Sequence, residues 1–144
     1  INNKEVKCFR QPGGTGIRVM GAMTQYCRKT TKYPRGLGRF CSAVFYANKR
    51  QTFRVASMYN VCRGKPKGLR TQYQQIKREM QRNNIVGHEP RDLFIYDFVM
   101  QCKKWVKNGD GIFMIGDVND CAIAGELTKL LEEEADLEEF THPF

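Results

Sequence analysis

The stretch GDGIFMIGDVND, Gly109 to Asp120, ends an apolar run with a carboxylate at Asp117 and a carboxamide at Asn119. Residues two apart in a strand point to one side. At a strand's end the two polar groups would leave the sheet edge together. A carboxylate there can take a hard cation such as Mg²⁺, with waters and a substrate phosphate completing the shell. An amide beside it can bond a phosphate oxygen or orient a water. Phosphodiester cleavage uses that pairing, because its transition state gains negative charge on oxygen. The competing reading is turn chemistry, in which Asp and Asn at a strand exit bond their own backbone. Tyr59 closes a second β-type run. Its hydroxyl can bond a phosphate, or simply sit at the rim of a core aromatic.

Two glycine-punctuated loops supply cations. KTTKYPRGLGR carries Arg35 and Arg39, and CRGKPKGLR carries Arg63, Lys65, Lys67 and Arg70. Such loops hold nucleic-acid backbones or are solvated charge. Other chemistries find less material. Ser42 and Ser57 lie in β-type runs with no base nearby in sequence, His88 sits in a loop, and His142 lies near the carboxyl terminus without a carboxylate beside it. QPGGTG, Gln11 to Gly16, lacks the Lys-Ser/Thr of a phosphate loop and reads as a turn. The six cysteines include no CxxC pair, which argues against a clustered zinc site. Apolar neighbours around Cys41, Cys102 and Cys121 favour buried reduced thiols and an intracellular setting, the nucleus included.

The charge is uneven. The chain has 144 residues and a formal net charge of +9. Residues 126–144 hold seven acids against Lys129 alone, so residues 1–125 hold 23 Lys and Arg against 8 Asp and Glu. A body with that excess attracts polyanions. The apolar runs are too short for a membrane span. A length of this size suits one domain. The first residue is Ile1 and no leader is visible, which reads as a fragment or a processed chain.

Periodicity gives the elements that must position these groups. IRVM, after the first glycines, alternates like a short strand. RFCSAVFYA (39–47) and QTFRVASMYNV (51–61) are β-type runs at hairpin spacing. LRTQYQQIKREMQRNN (69–84) carries a thin apolar stripe of Leu69, Tyr73, Ile76 and Met80, predicting a helix. A more apolar helix follows Pro90, and Gly109 ends it. GIFMIG then reads as a fully buried strand. A last helix turns Leu127, Leu130, Leu131 and Leu137 inward, with acids crowding its carboxyl end, where the helix dipole disfavours them. The predicted class is α/β (α+β) with a mixed sheet.

Taken in order, QPGGTGI, GLGRF, MYNVCRG, GLRTQYQQ and EPRDLFIYDFVMQCKKWVKNGDGIFMIGDVND resemble the endonuclease/exonuclease/phosphatase superfamily, the deoxyribonuclease I-like fold. They look most like the domains beside retroelement reverse transcriptases. The likeness runs from about Gln11 to Leu137. It implies part of a four-layer β-sandwich flanked by helices, and Mg²⁺-dependent hydrolysis of nucleic acid, DNA rather than RNA. It also implies Asp117 as metal ligand and catalytic residue, Asn119 as its catalytic partner and Tyr59 at the phosphate. The family's metal-binding Glu and closing His have no match in motif here: Glu5 lacks the surroundings, and His142 follows Thr141 rather than Asp. The chain then reads as a single partial domain over 1–144, its residues 126–144 acidic and frayed. It would be weak or inactive unless a partner chain completes it. The alternatives are a non-catalytic nucleic-acid-binding or assembly subunit of the same ancestry, and a module whose acidic end docks on a basic protein.

Overall fold

The computed structural model describes residues 14–35, 38–46, 51–62, 71–121 and 125–137. Within them a 3-10 turn, η1 (Gly21–Tyr26), leads into strand β1 (Cys27–Lys32). β2 (Phe40–Tyr46), β3 (Thr52–Tyr59), helices α1 (Gln72–Arg82) and α2 (Pro90–Lys107), strand β4 (Asp110–Asp117) and helix α3 (Glu126–Ala135) follow. The class is α+β. One open sheet runs β1-β2-β3-β4. Its first two pairings are antiparallel and β3–β4 is parallel. A parallel return needs a long crossover, and α1 with α2 supply it. A second sheet, as in the expected sandwich, is not present among the described residues.

The helices cover one face of the sheet. Phe40 and Ala56 from the strands meet Phe94, Phe98, Val99, Cys102 and Trp105 of α2 and Leu127 and Leu131 of α3. Phe40 makes edge contacts to Phe98 at 5.2 Å and Trp105 at 6.3 Å, and Phe94 stacks on Phe98 at 5.6 Å. Such aromatic pairs add to the transfer free energy of burying the rings. α1 builds a second cluster from Tyr73, Ile76 and Met80 with Leu93 and Val61, using the predicted stripe; Leu69 lies outside the described residues. Thr71 caps α1 by accepting from the Gln74 amide at 3.3 Å. Gly109, at φ +78°, takes the left-handed turn that ends α2. On α3, Glu134 pairs with Lys103 at 2.6 Å, so α2 supplies a cation to the acidic end.

Three expectations change. Ile17–Met20 is not a strand; the strand is CRKTTK, because pairing to β2 selects it over the local alternation. β4 is not fully buried. As the outer strand it turns Ile112 and Met114 to the helix-side core but leaves Phe113 63% and Ile115 67% exposed. Cys121 is exposed, whereas Cys102 is buried. No helix among the described residues is long and apolar enough to cross a membrane.

Candidate functional site at the carboxyl ends of β3 and β4

The parallel register places Tyr59 directly beside Asp117. Residues paired this way share a face, so hydroxyl and carboxylate emerge together at the sheet's end. Burial raises the Tyr59 hydroxyl above its ordinary value, and the neighbouring Cys62 and Asp117 add to this, while Arg39 opposes it. Asp117 is exposed. Its Oδ1 accepts from the Asn119 amide at 3.0 Å. No described residue bonds its Oδ2.

Asn119 completes the cluster in a way the strand argument did not foresee. The strand stops at Asp117, and Asn119 sits in the left-handed region at φ +48°. It is not a second strand residue facing Asp117's way. Its Nδ2 donates to the Asn60 carbonyl at 2.7 Å. Its Oδ1 accepts from the Cys62 thiol at 3.1 Å. Asn119 thus ties the exit of β4 to the exit of β3, and the Asp117–Asn119 contact is a turn of the kind Asp makes with its own backbone. Turn chemistry and an exposed carboxylate coexist here: one oxygen of Asp117 holds the turn, and no described residue bonds the other.

Two buried arginines brace this platform. Arg39, only 1% exposed, donates from Nε to the Tyr59 carbonyl at 3.1 Å and from its terminal nitrogen to Asn60 Oδ1. Its guanidinium lies over the Phe94 ring, 4.8 Å from the centroid. Burial pushes it down to about 10, which leaves it cationic at neutral pH. Arg91, 7% exposed, donates to the carbonyls of Val61, Val118 and Asn119 at 3.1, 3.1 and 3.0 Å. It also pairs with Asp120 at 3.0 Å. Both strand exits therefore hang on the first turn of α2. Among the described residues, neither Asn60 Nδ2 nor Arg91 Nε, both buried, has a hydrogen-bond partner.

The sequence reading placed Arg39 on a nucleic-acid-facing loop, and the structure corrects this: it is interior. Arg35 forks Asp97 at 2.6 and 3.0 Å and keeps 37% of its side chain exposed. The same carboxylate accepts from Tyr33 at 2.7 Å, which with burial raises the Tyr33 hydroxyl far above its ordinary value. Arg63, Lys65, Lys67, Arg70 and His142 lie outside the described residues.

No family model, curated protein or solved structure matches the chain.

Sequence reasoning missed Arg91, Asp120 and Asn60. A usable signal existed for Arg91: it stands in the first turn of a helix rich in apolar residues, directly after Pro90, where a cation must find oxygen acceptors to be buried. As to metal, no group of three or more His, Cys, Asp or Glu is assembled among the described residues. Among the described residues the donor offered at this end is the second carboxylate oxygen of the exposed Asp117. Asp120 nearby has its side chain 3% exposed and paired with Arg91. This fits an ion held mainly by water and a phosphate, and does not fit a cage.

Proposed function

We propose that the chain is a module of phosphodiesterase ancestry that engages nucleic acid at the Tyr59–Asp117 end of the sheet. The observation that carries this is the side-by-side pairing of Tyr59 with an exposed Asp117 whose Oδ1 alone is bonded by a described residue. A bare carboxylate repels a phosphate, so Asp117 serves such a substrate only with a cation between the two. Mg²⁺ suits the arrangement because it is content with one or two carboxylates plus phosphate oxygens. Bound there, it would neutralise charge on the phosphate oxygens. Tyr59 donates to a phosphate oxygen, helped by a hydroxyl that stays protonated past its usual range. Asn119 acts by fixing the turn, since its carboxamide is occupied at both ends by Asn60 and Cys62. The basic charge of residues 1–125 supplies long-range attraction.

A single carboxylate oxygen holds Mg²⁺ weakly, and each absent acid–base group removes a rate factor of about 10²–10⁴. We therefore expect this chain alone to cleave slowly or not at all. The alternative, binding without cleavage, draws on the same shortage of ligands and on the structural use of Asn119. Plasmid nicking with Mg²⁺, compared between the chain and Asp117→Ala, separates the two. Slow nicking lost in the variant supports the enzyme. Salt-dependent binding with no nicking selects the binding module. Neither binding nor nicking refutes both.

A further inference from the structure

The opposite end of the sheet has a surface of different chemistry. Residues 6–78 contain 17 Lys and Arg and no Asp or Glu. Within that acid-free stretch, β1 is the outer strand on the antiparallel side, with Arg28, Lys29, Thr30 and Lys32 exposed. No described carboxylate pairs with Arg28, Lys29 or Lys32. Tyr26 ends η1 and precedes Cys27, which stands opposite Phe45, the chain neighbour of Tyr46. Both tyrosines are large exposed aromatics, at 46% and 43%. The register breaks between Cys27 and Lys29, at Arg28, and the Arg28 guanidinium lies 5.3 Å from the Tyr46 centroid. Tyr46 pairs with Thr52, at the start of β3, whereas Tyr59 is at its end. At 3.3 Å per residue the two sites are about 23 Å apart.

Exposed aromatics flanked by uncompensated cations are the means by which proteins hold single strands, through base stacking beside backbone neutralisation. A folded protein partner would favour carboxylates or an apolar pocket to complement this mixture, and duplex DNA would leave the rings unused. We propose that Tyr26, Tyr46 and Arg28, with Lys29, form a single-stranded polynucleotide-binding surface separate from the Tyr59–Asp117 site and independent of metal.

The test is fluorescence anisotropy of the full chain with a labelled thymidine 20-mer in EDTA, against an abasic deoxyribose-phosphate 20-mer and heparin. The thymidine strand should bind about tenfold or more tighter than the abasic one. Tyr26→Ala, outside the strand ladder, should lose about ten- to a hundredfold for thymidine and nothing for the abasic strand. Arg28→Gln with Lys29→Gln should weaken both and lower the salt slope by about 1.4 for two phosphates. A uridine 20-mer in parallel assigns the sugar, and preference for either strand supports the surface. Equal affinity for thymidine, abasic strand and heparin would overturn the proposal. So would an unchanged thymidine affinity in both Tyr26→Ala and Tyr46→Leu with native circular dichroism. EDTA keeps a failure here distinct from one at Asp117.

Discussion

Strand β4 begins and ends with an aspartate, and the two have opposite fates. Asp110 is committed to the interior. It accepts from Thr52 at 2.6 Å and from Arg54 at 3.0 and 2.7 Å, with both charged side chains 7% exposed. Arg54 is filled in turn: it donates to Ser42 at 2.9 Å and Thr31 at 3.2 Å, and lies over Trp105 at 4.6 Å. Asp117, seven residues on, is exposed and gives one oxygen to the Asn119 amide. A carboxylate whose lone pairs are filled by buried donors is structural. One that keeps an oxygen for solvent is available for a ligand. Their contrast, rather than the presence of Asp as such, picks out the functional end of the strand.

The largest expected effect breaks the structural member. Asp110→Ala leaves the Arg54 cation buried without its partner and should destabilise by about 3–5 kcal/mol, read from urea unfolding. Gly116 comes next. A Cβ there would lie 2.0 Å from the Met58 carbonyl oxygen, so β4 approaches β3 only because this position is glycine. Gly116→Ala should cost about 1–3 kcal/mol and move the Tyr59–Asp117 pairing. By contrast Asp117→Asn, which keeps an acceptor for the Asn119 amide, should change stability by no more than about 0.5 kcal/mol. Equal losses in Asp110→Asn and Asp117→Asn would erase the distinction between the two aspartates.

Thiol chemistry sharpens the same contrast with less effect on the fold. Burial pushes the Cys102 thiol up to about 12, whereas Cys62 and Cys121 are exposed. Iodoacetamide at pH 8 should label Cys62 and Cys121 and spare Cys102 until the chain unfolds, as mass spectrometry of peptides would show. The sign of the linked pH effect follows: Cys102 is held protonated in the fold, so its share of stability is intact below the unfolded thiol value near 8.5 and is lost as pH rises toward about 12.

Element order was legible in the sequence because the switch from two-residue to three- and four-residue apolar spacing marks strands and helices. That Tyr59 and Asp117 each close a β run was legible, whereas their parallel pairing was set by the crossover of α1 and α2. What was not legible depended on tertiary neighbours. CRKTTK has no apolar alternation and becomes a strand because β2 offers it a ladder. GIFMIG looks buried on both faces, yet its outer position leaves Phe113 and Ile115 uncovered. Arg39 and Arg91 look like surface cations, and only the carbonyls converging on them reveal that they are interior braces.

The most direct test of the central claim is paramagnetic broadening by Mn²⁺, standing in for Mg²⁺, in the amide spectrum with a thymidine dinucleotide present. The account predicts broadening at Tyr59 and at residues 117–119, its loss in Asp117→Asn, and none around Asp110. Broadening that ignores the Asp117 substitution, or that is absent at the Tyr59–Asp117 end, would contradict it.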